Sequence, residues 1–225
     1  MSPGVHVNEL ESGNVWNRET AQRLLWQRGD KSVAPLLVRL LQTSRQPLAR
    51  LHALYALSGL NALEVAQIEF AVRDAHPRVR EHAVRLSEPF LAESPRLVEA
   101  LTPLSADLDD RVRFQLAFSL GEAPVERAAS ALTRLARDRR NGGEIRNALL
   151  SSVAGNADRI AAALLTDATT DRPEHAVAWL SELSLLAGAD RESGAALRLL
   201  ASATSAEQPA AVQRVALAGL GEGLG

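Results

Sequence analysis

The chain has 225 residues, 46% of them hydrophobic and 4% aromatic, with a formal net charge of −2 at pH 7. That hydrophobic share is ordinary for a folded chain and argues against disorder. The near-neutral charge lacks the basic excess of a nucleic-acid-binding domain, so no nucleic-acid partner is expected. The absence of cysteine excludes disulfides, thiolate zinc sites and Cys-x-x-Cys-His haem attachment within these residues. No apolar run approaches the roughly 18 residues that cross a bilayer, so membrane insertion is not expected. MSPGVHVNEL has neither the basic start nor the apolar stretch of a signal peptide. Residues 1–15 read as a non-helical remnant of a preceding region, residues 16–225 as a single domain, and both ends as cuts through a longer chain.

The apolar residues are mostly Ala, Leu and Val, which suits helices better than sheets. Asn17 is expected to cap a first helix over about Arg18–Arg28, stopped by Gly29. A partner helix follows over Ser32–Thr43. Pro47 opens the next helix at a position where its missing N–H costs nothing, and that helix ends near Gly59. Pro77 begins HPRVREHAVRLSEPFL, and Pro89 is expected to end or kink it near Ser87. Further helices start at Asp110, at Glu144, after Pro173 and at Pro209. Shorter second helices lie between them, over about 63–72, 95–104, 125–137, 157–165 and 192–203. Gly29, Gly59, Gly121, Gly155 and Gly221 fall where left-handed helix caps would sit. None of these segments alternates as a half-buried strand does.

Across this pattern run five arginines, Arg18, Arg50, Arg80, Arg113 and Arg146, at steps of 32, 30, 33 and 33 residues. Gln213 follows Arg146 by 67 residues, twice the same period. A fixed period of this length marks stacked structural repeats. One helix pair cannot bury its own apolar face, whereas stacked pairs share a continuous core. The expected fold is all-α, a right-handed α-α superhelix (α-solenoid) of about six pairs and a terminal helix. A residue needed in every repeat is a structural fitting; a catalytic residue is needed once.

Two repeats carry a fuller signature: Asp74 precedes Val79-Arg80 and Ala83, and Asp107 precedes Val112-Arg113, six residues separating Asp from Arg in both. This resembles the HEAT repeat. The resemblance implies a ladder between successive repeats built from Asp74, Arg80, Asp107 and Arg113, with Arg18, Arg50 and Arg146 in equivalent places. An arginine fork can hold several oxygens at once and so fix a stacking angle. The outer repeats depart from the pattern, since Arg140 stands where an Asp would precede Arg146 and Gln213 replaces the arginine. The stretches SGNVWNRETAQRLLWQRGDKSVAPLLVRLL, PLARLHALYALSGL, HPRVREHAVRLSEPFL and DDRVRFQLAFSLGE are also similar to the HEAT segment of large haem-binding bacterial dehydrogenases of the PVC type. In those proteins the segment lies between a propeller dehydrogenase and a cytochrome c module. That resemblance implies a periplasmic or exported location and adjacent protein domains as partners, with no cofactor in these residues.

Candidate chemistry is sparse. His52 and His82 occupy the same place in consecutive repeats, as a metal-binding pair or as a packing position between repeats; His6, His76 and His175 are scattered. No His-Glu-x-x-His, Walker, dinucleotide-binding or Gly-x-Ser-x-Gly motif occurs. Glu88, Asp109 and Asp110 lie near helix ends, the two aspartates suiting the positive N-terminus of the helix that follows. The cluster RLARDRR, Arg134–Arg140, is either a phosphate or acidic-partner contact or a solvated helix end. Some HEAT-like DNA glycosylases use tryptophans, a carboxylate and a basic concave face; here Trp16, Trp26 and Trp179 occur without the basic charge. Trp16 and Trp26 are expected to seal the first repeat or to meet a preceding domain. The second helices offer mixed charges, Arg39, Glu69, Arg73, Arg96, Glu99, Arg127 and Arg134, which suit a protein partner better than a polyanion. The sequence therefore points to a non-catalytic scaffold without cofactor or metal. A free-standing binding protein is the alternative, and a glycosylase a more distant one.

Overall fold

The computed structural model describes residues 3–153, 155–168, 173–192, 194–205 and 208–225. The side chain of His175 lies outside the described set. Among the described residues the chain is helical throughout, with no strand. It divides into two compact units, Met1–Leu101 and Thr102–Gly225. In each, helix pairs stack in two layers, and the fold is an α-solenoid.

The first unit holds α1 (Pro3–Glu9), α2 (Val15–Arg28), α3 (Ala34–Thr43), α4 (Pro47–Gly59), α5 (Val65–Ala71), α6 (Pro77–Leu91) and α7 (Pro95–Leu101). One layer is α2, α4 and α6; the other is α1, α3, α5 and α7. The neighbours closest in sequence are α1 with α2, α3 with α4, and α5 with α6. The tight hairpin is thus a second helix joined to the first helix that follows it, half a repeat out of phase with the pairing read from the sequence. Residues 3–9 supply the leading member of that series, so they are helical and not an irregular remnant. At seven residues α1 is too short to be stable alone. It is held by burying Val7 and Leu10 against α2 and α3.

Several boundaries shift for identifiable reasons. The first long helix starts three residues early because Asn14, not Asn17, accepts the Trp16 N–H at 2.9 Å. Pro89 neither ends nor breaks α6 at Ser87; it sits in the last turn, where few helical bonds remain to be lost. Gly29 does take the left-handed cap. Gly59, by contrast, is helical, and the left-handed residue beyond it is Asn61. Gly59 is needed for closeness instead, because a Cβ there would lie 2.1 Å from Trp26 Nε1.

The second unit opens on a 3-10 turn, Thr102–Ala106, and continues with α8 (Asp110–Ser119), α9 (Val125–Arg137), α10 (Gly143–Ser152), α11 (Ala157–Ala168), α12 (Pro173–Ala189), α13 (Ala195–Ala203) and α14 (Ala210–Leu224). Here α8 packs on α10 and α12 on α14, while α9, α11 and α13 follow one another in the second layer. Of the glycines expected as caps in this unit only Gly155 has positive φ. Gly121 lies in a 3-10 turn and Gly221 within α14.

The contact between α12 and α14 is made by glycine. A Cβ on Gly219 would lie 2.5 Å from the Ser181 carbonyl oxygen, and one on Gly223 2.2 Å from that of Leu185; one on Gly188 would lie 2.6 Å from that of Leu220. The backbones touch, and any side chain must drive them apart. Gly221, two residues from both Gly219 and Gly223, faces open space. We expect Gly219→Ala to destabilise the protein by about 1–3 kcal/mol through overpacking. Gly221→Ala should stabilise it by about 0.5–1 kcal/mol through helix propensity alone. Thermal unfolding of the two variants checks the opposite signs.

Candidate functional site

The periodic arginines perform one repeated task. Arg18 Nη1 donates to the Ser12 carbonyl at 2.7 Å, Arg50 Nη1 to the Ser44 carbonyl at 2.9 Å, Arg80 Nη1 to the Asp74 carbonyl at 2.8 Å and Arg113 Nη1 to the Asp107 carbonyl at 2.6 Å. Each accepting residue stands six positions before its arginine. Its side-chain oxygen also accepts the N–H two residues on: Ser12 from Asn14, Ser44 from Gln46, Asp74 from His76 and Asp107 from Asp109. The turn between a second helix and the next first helix is therefore closed twice, by its own side chain and by a guanidinium reaching back from the helix it feeds. Sequence reading found the Asp members and missed Ser12 and Ser44, which do the same work with a hydroxyl.

In Arg50, Arg113 and Arg146 the remaining edge of the guanidinium meets the next repeat. Arg50 grips Asp74 with Nε at 2.6 Å and Nη2 at 2.7 Å. This pair is largely buried, the two side chains being 13% and 5% exposed. Arg113 Nε meets Asn141 Oδ1 at 2.7 Å, and Asn141 in turn donates to the Leu135 carbonyl at 2.7 Å. Arg140, which occupies the Asp position by count, turns instead to Asp138. The acceptor has slipped by one residue, to Asn141. Arg146 reaches Glu182 at 2.8 Å and lies over the Trp179 ring, 5.2 Å from its centroid. Gln213 gives its amide to the Ser205 carbonyl at 3.1 Å.

Arg18 is the exception. It is buried, yet its Nε has no partner. At the position equivalent to Asp74, the next repeat has Ser44, whose hydroxyl is turned to the Glu11 carboxylate. Two outcomes follow. Asp74→Ala strands Arg50 as a buried cation and should cost about 3–5 kcal/mol, whereas Glu182→Ala, at a more exposed pair, should cost at most about 1 kcal/mol. Ser44→Asp, made with Glu11→Gln to remove a like charge, should satisfy Arg18 and stabilise the protein by about 1–2 kcal/mol. Denaturant titration of the three variants tests this, and no gain from Ser44→Asp would contradict the equivalence.

The histidines of consecutive repeats make bonds between helices. His52 Nδ1 bonds Gln22 Oε1, and His82 Nδ1 bonds the Tyr55 hydroxyl at 2.8 Å with the rings edge-on. His76 caps α6 by accepting the Arg78 N–H at 3.2 Å. Among the described residues no group of three metal-ligating side chains forms. Burial pushes His52 and His82 below the ordinary histidine pKa. Arg18 adds to this at His52 and Glu19 opposes it; at His82 Glu81 opposes it, while Arg78 and Arg85 add to it. Both imidazoles thus fold in the neutral form, and the unfolded chain binds protons more readily. Their contribution to stability is full above the unfolded value of about 6.5 and is lost as pH falls through it towards the lowered folded values. The thermal midpoint should therefore drop between about pH 7.5 and about pH 5.5. A His52→Gln, His82→Gln variant should show a visibly smaller drop.

The tryptophans differ in use. Trp26 lies against Gly59 and donates to the Tyr55 carbonyl at 3.2 Å, so it ties the first repeat to the second and does not seal an outer face. Trp179 is buried beneath Arg146. Trp16 is 68% exposed.

Of the residues expected on a partner surface, Arg39, Arg73, Arg96 and Glu99 are exposed in the first unit, and Arg127 and Arg134 in the second. Glu69 is not: it is 9% exposed and takes Arg96 in a two-point ion pair at 2.8 Å, pinning α5 to α7. The second unit repeats this device where Arg198 of α13 meets the buried Asp158 of α11 at 2.6 Å. The RLARDRR cluster is similarly dispersed. Arg137 reaches the Ala163 carbonyl on α11 at 3.3 Å and Arg140 its neighbour Asp138, while Arg134 and Arg139 are exposed as well.

No protein-family profile matches the chain, and no curated protein matches it. Among solved structures it is similar to an engineered protein of the Northeast Structural Genomics Consortium, at 18% identity and TM-score 0.47 over 99% of this chain and 68% of that one. It is similar to a second engineered protein from the same consortium at 18% identity and TM-score 0.37, covering 99% of this chain and 96% of that one. A third likeness is to computationally designed armadillo repeat proteins for modular peptide recognition, at 16% identity and TM-score 0.39 over 98% of this chain and 99% of that one. At such scores the fold assignment rests on the helix pairing itself. Two-layer stacking of helix hairpins with a recurrent turn clamp is an α-solenoid architecture.

Proposed function

We propose that the chain is a non-catalytic protein-interaction scaffold whose partner surface is the exposed face of its second helices. The observation that carries this reading is the division of labour among the arginines. Those of the first helices serve the turns that precede them. In the first unit Arg39 of α3, Arg73 in the turn after α5 and the acid Glu99 of α7 stand exposed, and in the second Arg127 and Arg134 of α9 do. Interspersed charges of both signs favour a protein surface and give specificity more than raw affinity.

The finer form of the proposal rests on the sequence resemblance alone. In it the chain spaces a propeller dehydrogenase and a cytochrome c module, setting their geometry without carrying electrons. A reading frame that runs on into a Cys-x-x-Cys-His motif would support this form, and a frame without one would remove it.

The broader reading is tested by charge reversal. Arg39→Glu with Arg73→Glu leaves the buried pairs intact and should weaken, about tenfold or more, the binding of any protein that the unaltered chain captures in an affinity pull-down. Unchanged capture would place the partner elsewhere.

A further inference from the structure

We infer that the second-helix layer of the 102–225 unit contains a receptor pocket for a lysine side chain of the partner protein. The inference deepens the scaffold reading and rests on it. A cleft of about 590 Å³ is lined by Glu126 of α9, by Gly155, Asp158, Arg159 and Ala162 at α11, and by Arg198 and Ser202 of α13. Asp158 is 3% exposed. Arg198 takes its Oδ2 at 2.6 Å, while its Oδ1 has no hydrogen-bond partner. A buried carboxylate oxygen left unsatisfied is costly, and such an atom calls for a donor that arrives from outside.

The lining indicates which donor. Three acceptors come from three successive second-layer helices: the exposed Glu126 carboxylate, Asp158 Oδ1 and the Ser202 hydroxyl. The Ser202 proton is already given to the Arg198 carbonyl at 3.1 Å, which leaves its oxygen to accept. A lysine ammonium has three donors on a compact head carried by a slender, flexible stem. No metal-ligating triad exists among the described residues, so an organic cation fits this set better than a divalent ion. Arg198 is tied to Asp158, and the exposed Arg159 at the rim meets an acidic residue beside the partner's lysine. The pocket thus selects a lysine flanked by acid over a uniformly basic tract.

The test is titration of the ¹⁵N-labelled chain with Ac-Gly-Lys-Glu-Gly-NH₂, followed by NMR. Saturable shifts confined to α9, α11 and α13 are expected. They should vanish when the lysine is Nε-acetylated, weaken about tenfold or more in Asp158→Asn, and weaken about threefold in Ser202→Ala. Because Asp158→Asn also touches the Arg198 pair, Glu126→Lys on the exposed rim serves as a second variant and should abolish the shifts with the thermal midpoint unchanged. No shifts, equal binding of the acetylated peptide, or binding indifferent to Glu126→Lys overturns the pocket. The scaffold reading is decided separately, on Arg39 and Arg73 in the other unit.

Discussion

Everything in this fold depends on how a turn between two antiparallel helices is held at one angle. Each turn exposes backbone carbonyls at the end of a second helix, where no further helical N–H can reach them. A guanidinium is suited to the task because its planar fork can serve a carbonyl with one nitrogen and a neighbouring side chain with the others. Arg50 does both within one side chain, closing its own turn at Ser44 and binding Asp74 of the next repeat. The stacking angle is thereby tied to turn geometry, and leucine and alanine packing fills the space so defined.

The pairings are not of equal weight. Arg50 with Asp74 is largely buried and bidentate, so loss of either partner leaves a charge without solvent. Arg146 with Glu182 is half in water, and the cation over Trp179 supplements it. Arg113 uses a neutral amide, Asn141, that also secures the end of α9. Arg18 makes the carbonyl bond and lacks the rest.

Much of this was legible in the sequence. The arginine period and the Asp-to-Arg spacing locate the repeats because a guanidinium cannot be replaced cheaply. What was hidden has physical causes. Ser12 and Ser44 look unlike Asp74 and Asp107, but the turn needs only a side-chain acceptor and a carbonyl, which serine also supplies. Asn141 lies one residue off the expected count, since a loop can slip where a helix cannot. Gly59 read as a helix stop because glycine is needed both for left-handed backbone and for close approach, and sequence alone does not separate those uses. Glu69 read as surface because its partner, Arg96, lies on the next second helix, 27 residues away. The half-repeat shift of the hairpins was invisible for a related reason. Apolar periodicity marks the faces of helices and says little about which neighbour lies nearer.

The turn clamp spans only six residues of chain, from the accepting carbonyl to the arginine. Such a fastening travels whole whenever its stretch of gene is copied. Duplicating or excising one hairpin would disturb lateral bonds only at its boundaries and leave the other turns intact. Length in this architecture is consequently a quantity that recombination can adjust in whole steps, and the imperfect serine and asparagine members are tolerable local wear in a series that does not fail at its weakest member.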